Sequence, residues 1–356
     1  MPDPGTRGAT TCGADALDSL WLSSSSRRRD PPLVVQWQDG GAQHVAVAHG
    51  ERLDFIDITS ARITATWTAP SDIQNLARLG DPASLLVADD DGRVWTVSPR
   101  SGADPTSSAK FLTTPPRAML TLPNSRGALV LDSSGVWLVE PSTESRLIWI
   151  RLPQHVELTA ATVTGGFLIA GDALGQLWRW DLASRPFAPP LPLNKLENSV
   201  AHLAACQGAR PWAIAADRSG AATLHRFLSH REIDVRPLAT RHAVRAVAID
   251  DACTIAAASD GASVEIWNLR ADKPEDATWS LPNRGLVHGV IISADGREII
   301  AIGQVSARIW DLTNIASLPQ TIHGADTSPM TSLYLPDGRL VVATSSAIAW
   351  TEALSM

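Results

Sequence analysis

Aspartates recur along the chain at Asp89 to Asp91, Asp132, Asp172, Asp217 and Asp260, each one to three residues ahead of a glycine or within a run that ends on one. Carboxylates are hard oxygen donors and could hold a cation. Asp and Gly are also the residues of tight turns, the first by local hydrogen bonding and the second by tolerating positive φ. These aspartates lie too far apart for one ion to gather them all, so turn chemistry is the favoured reading and cation binding the alternative. His44-x4-His49 and His225-x4-His230 have the look of paired metal ligands. On a strand, however, that spacing does not give the shared face that a helix gives, and no third ligand stands at zinc-site spacing. His242, Ser259 and Asp260 combine the residue types of a Ser–His–Asp catalytic set. No nucleophile elbow, Gly-rich phosphate loop or HExxH motif accompanies them, which leaves catalysis unsupported.

The composition of the 356 residues, 44% hydrophobic with a formal net charge of −7, is that of a globular chain with a substantial core. A generic nucleic-acid binder presents a basic face, which this balance does not supply. The basic run Arg27 to Arg29 sits in a polar N-terminal stretch and reads as a solvated tail. Cys12, Cys206 and Cys253 are odd in number and widely spaced. With no disulfide framework and no Cys-x-x-Cys knuckle in view, they suit a reducing compartment. The N-terminus lacks the apolar core of a secretory signal, and no segment reaches the ~20 apolar residues that span a bilayer. A cytoplasmic location is expected, with no membrane partner.

The elements that must position these residues repeat. Strand-like pairs occur at Ile56-Asp57, Val97-Ser98, Val139-Glu140, Trp180-Asp181, His225-Arg226, Trp267-Asn268, Trp310-Asp311 and Trp350-Thr351, at intervals of 40 to 45 residues. That period matches one four-stranded propeller blade. Each period has the same grammar of short runs rich in small, β-branched and aromatic residues, parted by turn formers, with no helical period. The sixth reads AVRAVAID, CTIAAAS, SVEIWNL and DATWSLP; the eighth stops after three strands. Trp67, Trp149 and Trp279 follow their pairs by 9 to 11 residues and fall on equivalent outer strands, where packing between blades is the simplest role.

The chain resembles the WD40-repeat family of β-propellers, in a degenerate form. Trp180-Asp181-Leu182 and Trp310-Asp311-Leu312 match its signature dipeptide, Trp267-Asn268 varies it, Asp260-Gly261 stands in the turn before a third strand, and His242 opens the sixth repeat. The resemblance implies an all-β, closed propeller over residues 33–356, of eight four-stranded blades, with seven as the alternative. It also implies that His242, Ser259, Asp260 and Trp267 form a structural hydrogen-bond relay within one blade rather than a reactive site. An eighth blade of three strands leaves an open edge. In this family a strand from the opposite terminus commonly closes that seam. Within the N-terminal segment 1–32, the apolar Ser19-Leu20-Trp21-Leu22 is the candidate, giving a ring-closing strand at 19–23.

The function expected is a non-catalytic scaffold or sensor subunit that docks another protein or peptide, with no cofactor and no metal. WD40 propellers mostly scaffold assemblies, and the Ala-, Arg- and Asp-rich, Lys-poor text suggests a bacterial signalling or defence setting. His155, Lys195, Arg241, Arg284 and His323, in or near the connections between blades, are the candidate partner-binding face. The rival is a propeller enzyme, lactonase-like or quinone-dependent, with a central-channel site to which His202, Arg245 and Arg78 would contribute. A third reading is an immunity protein or inhibitor of a neighbouring gene product.

Overall fold

A computed structural model describes residues 17–21 and 32–351, apart from 40–41, 80–83, 99–106, 111, 113, 115, 123–126, 133–134, 141–146, 151, 153–155, 165, 184–187, 208–210, 229–231, 239, 241–242, 284, 304–305, 324–330, 336 and 345–346. Its strands form eight antiparallel four-stranded sheets, and the described residues contain no α-helix. Blades one to seven take four consecutive strands each, spanning 33–68, 73–110, 118–150, 158–195, 200–238, 246–282 and 287–323. The count is therefore eight, and the seven-bladed alternative is set aside.

The eighth blade takes three strands from the C-terminal region, Thr331–Tyr334, Leu340–Ala343 and Ala347–Thr351, and its fourth from the other end of the chain. Leu17–Trp21 pairs antiparallel with Ala347–Thr351, from Leu17 opposite Thr351 to Trp21 opposite Ala347. This strand begins two residues before the segment expected from the sequence. It satisfies a sheet edge that would otherwise present unpaired backbone groups. Each innermost strand packs against the next around the ring, and Thr331–Tyr334 of blade eight meets Leu33–Asp39 of blade one.

Strand alternation explains why the ring holds. Successive side chains of a strand point to opposite faces of its sheet, so each blade offers one set of residues to each neighbour. In blade three, Leu129 and Leu131 pack toward blade four while Ala128 and Val130 pack toward blade two. In blade seven, Ile299 and Ala301 face blade six while Ile300 and Ile302 face blade eight. Val45, Val47, Val341, Ile348 and Trp350 build the closing junction between blades eight and one. Buried apolar area stabilises each junction at about 25 cal/mol per Å². No blade could bury both of its faces alone.

The outer-strand tryptophans agree with packing between blades where their side chains are described. Trp67 of blade one lies 5.7 Å, centroid to centroid, from Trp95 of blade two. Trp279 packs on the cluster shared by blades six and seven. The side chain of Trp149 lies outside the described residues. The expectation of unpaired cysteines is corrected: Cys206 and Cys253, 47 residues apart, are joined by a disulfide with their Cα atoms 5.4 Å apart. A pairing between consecutive blades has no local spacing signature, so wide separation in the sequence concealed it. The cysteine count therefore no longer argues for a reducing compartment.

Candidate interaction site

The ring has two faces. One carries the turns between second and third strands together with the connections that lead from each outermost strand to the next blade. The other carries the turns between first and second strands and the loops between third and fourth.

On the first face the recurring aspartates are used by their own blades. Asp89, Asp132, Asp172 and Asp217 are at most 2% exposed and end the second strands of blades two to five or follow them directly. Asp172 is the fullest case: its Oδ1 accepts the backbone N–H groups of Leu174 and Gln176 at 2.9 Å, and its Oδ2 accepts the Trp178 indole N–H at 2.9 Å. Trp95 and Trp137 donate to Asp89 and Asp132 in the same way at 3.4 Å. Burial by itself would raise the Asp217 carboxyl, but hydrogen bonds from Ser219 and Asn198 outweigh it and hold the pKa below the usual carboxylate range. These indole partners were not singled out from the sequence. Their signal was there, since each tryptophan follows its aspartate by five or six residues.

Blade six departs from that pattern. Asp260 holds the register position of Asp132, since the Asp132 and Asp260 N–H groups donate to the Gly135 and Ser263 carbonyls, but Glu265 stands where blade three places the Trp137 indole. Ser259, opposite Ala246, holds the position of Leu131. Its hydroxyl donates to the Ser263 carbonyl at 2.9 Å and accepts the Gly261 N–H at 3.1 Å. Asp260, one residue on, accepts the N–H groups of Ala262 and Ser263 at 2.9 and 2.8 Å. Trp267 is fully buried, and its indole N–H has no partner among the described residues. His242, the remaining member of the relay, lies outside the described residues.

Of the five residues expected to form a partner-binding face, Lys195 and His323 are exposed at the ends of the outermost strands of blades four and seven. His155, Arg241 and Arg284 lie outside the described residues. The three candidates for a channel site lie on or beside innermost strands of three blades: Arg78 on blade two, His202 on blade five, and Arg245 just before the first strand of blade six. Burial lowers the His202 pKa, partly offset by a hydrogen bond with the Val244 backbone and aided by nearby Arg218. Among the described residues no three His, Cys, Asp or Glu side chains are placed to share a metal ion.

The second face holds a cavity of about 670 Å³ between blades seven and eight, walled by Asp295, Arg297, Glu298, Asp311, Tyr334 and Asp337. Tyr334, the single tyrosine of the chain, donates its hydroxyl to Glu298 Oε2 at 2.7 Å across the junction. Burial and then this carboxylate push the phenol pKa upward, so it stays protonated. Hydrogen bonds from Ser293 and the Arg297 backbone outweigh burial at Asp295 and lower its pKa. The Thr313 hydroxyl and backbone lower that of Asp311. Asp295 and Asp311 are therefore anionic near neutral pH, and none of these three groups is poised to exchange a proton there. The wall suits a cationic group better than it suits acid–base chemistry. Sequence reading did not find this site, because Tyr334 and Glu298 are 36 residues apart and meet only across a junction.

No family model and no curated protein matches the chain. Solved structures do. The computationally designed Ika8 protein superposes with a TM-score of 0.72 at 12% identity, over 92% of this chain and 98% of that one. Sqt1 from Chaetomium thermophilum superposes with a TM-score of 0.70 at 15% identity, over 88% of this chain and 92% of that one. The same protein bound to the N-terminus of the ribosomal protein L10 gives 0.68 at 16% identity, over 87% and 93%. At these identities the likeness concerns the fold, which is that of a WD40-like β-propeller.

Proposed function

We propose that the chain is a non-catalytic scaffold that docks a protein or peptide partner. The observation that carries this reading is where the chemically able residues go. Asp89, Asp132, Asp172 and Asp217 are engaged by turns and indoles of their own blades. What remains is a ring with exposed loops and a concave wall rich in carboxylates, two of them paired with arginines, Asp295 with Arg297 at 3.6 Å and Asp337 with Arg339 at 2.7 Å. The size of that cavity is within the range of ligand pockets, and its charge complements a basic side chain of a partner. Sqt1, a ring of the same shape, was solved with a peptide segment of another protein bound, which supports peptide docking by this architecture.

The finer reading is a sensor or docking subunit of a bacterial signalling or defence assembly. The test is affinity purification of the tagged chain from its own host, with partners identified by mass spectrometry and binding re-measured with purified components. Asp295→Asn with Asp311→Asn, and separately Lys195→Glu with His323→Glu, locate the docking face. A stoichiometric protein partner whose affinity falls at least tenfold with one pair of substitutions is the expected result. A purified chain that retains no protein but binds a metal or quinone, or turns over a lactone, overturns the scaffold reading.

A further inference from the structure

We propose that Cys206 and Cys253 form a redox-responsive clasp between blades five and six, closed under oxidising thiol–disulfide conditions and open under reducing ones. Cys253 lies in the turn between the first and second strands of blade six, and the same turn recurs in blades seven and eight. In each, the N–H of the fourth turn residue donates to the carbonyl of the first: Cys253 to Asp250 at 3.0 Å, Gly296 to Ser293 at 2.9 Å and Gly338 to Leu335 at 2.9 Å. All three fourth residues have positive φ, at 56°, 71° and 85°. The left-handed region suits glycine and disfavours a side chain. Blades seven and eight meet that requirement with glycine, whereas blade six places a cysteine there, with its sulfur against Cys206. What cysteine offers at this position is therefore its sulfur, not its backbone.

The turn does not depend on the bond it carries. The buried Asp250 carboxylate accepts the backbone N–H groups of Thr254 and Ile255 at 2.7 and 2.6 Å and the Thr254 hydroxyl at 2.6 Å. With the clasp open these bonds remain, and Cys253 stays beside its partner. Cys206 is fully buried, directly after the innermost strand of blade five, and its sulfur accepts the Trp212 N–H at 3.1 Å. Cys253, in the turn, is half-buried and the more exposed of the two residues, so we take it as the one an external reagent meets first.

Closure then runs in two exchanges with a low-molecular-weight disulfide such as glutathione disulfide. The Cys253 thiolate attacks that disulfide, forming a mixed disulfide and releasing one thiolate. The Cys206 thiolate attacks the Cys253 sulfur, forming the protein bond and releasing the second. Two protein thiolates are oxidised and one external disulfide is reduced to two thiolates. Excess external thiol drives the same steps backward.

The experiment equilibrates the full chain in glutathione buffers of graded potential, traps free thiols by alkylation, and reads Cys206 and Cys253 by peptide mass spectrometry beside the melting temperature. Closing a loop of 47 residues raises the folding equilibrium roughly 10³-fold in the chain-entropy treatment. Across a chain of this size that is a rise in Tm of about 5 °C. Cys253→Gly supplies the distinguishing result. It should melt below the wild type in oxidising buffer, yet at or above it in reducing buffer, because glycine relieves the backbone while the clasp is absent. Cys206→Ser removes the clasp without relieving the turn, and should melt at the same temperature in both buffers. Full alkylation of both thiols after equilibration with glutathione disulfide overturns the proposal. So does a bond that withstands excess reduced glutathione in the native protein, or a Cys253→Gly deficit of equal size in both buffers.

Discussion

Replacing Asp172 with alanine tests whether the periodic aspartates are structural. The carboxylate is 2% exposed and takes three donors, the Leu174 and Gln176 N–H groups and the Trp178 indole N–H, each at 2.9 Å. Hydrogen bonds to a charged group contribute about 1.5–3 kcal/mol each, and a buried donor left without a partner costs about 1–3 kcal/mol. Leu174 is 69% exposed, so water can serve its N–H in the variant, whereas Gln176 and Trp178 are more enclosed. Two fully lost bonds and one replaced by water give a loss of about 3–6 kcal/mol. Asp172→Asn keeps an acceptor for the turn but lacks the second carboxylate oxygen that faces the indole, and should lose about half as much. Urea unfolding followed by circular dichroism and tryptophan fluorescence measures both, with exposed Asp251→Ala as the control, expected within about 0.5 kcal/mol of wild type. If Asp172→Ala unfolds with the control, the latch is not structural and the aspartates reopen as binding groups.

Two further outcomes are expected. His225 is 1% exposed, and burial lowers its pKa from 6.5 to about 4. The folded value lies below the unfolded one, so the unfolded state takes up the proton first. Stability from this group is complete above pH 6.5 and falls by about 1.4 kcal/mol per pH unit between 6.5 and 4, a total on the order of 3 kcal/mol. His49 and His202, shifted the same way, add to the slope. Urea midpoints of wild type and His225→Gln across that window should differ in slope; parallel profiles refute the assignment. Deleting residues 1–24 removes five backbone pairings with Ala347–Thr351. At about 0.5–1.5 kcal/mol for each net hydrogen bond, this should cost several kcal/mol and lower the melting temperature. An unchanged melting temperature would mean that the ring does not need its closing strand.

The steady interval from Trp180-Asp181 through His225-Arg226 and Trp267-Asn268 to Trp310-Asp311, the short runs rich in small, β-branched and aromatic residues, and the turn residues at Asp172 and Asp260 made the blade, its repetition and its strands legible before any coordinates. These features are local: a strand's period and a turn's φ depend on residues a few positions apart, and every blade repeats the same solution. Ring closure was legible only as an incomplete eighth repeat and an apolar stretch at the other end. The exact register, Leu17 opposite Thr351, follows from how the two ends meet. The Cys206–Cys253 bond, the Tyr334–Glu298 contact and the cavity beside it belong to the tertiary structure alone. Each joins consecutive blades across a junction, where position depends on how far one sheet is turned against the next. No pattern within a single repeat encodes that angle; the packing of the complete ring sets it.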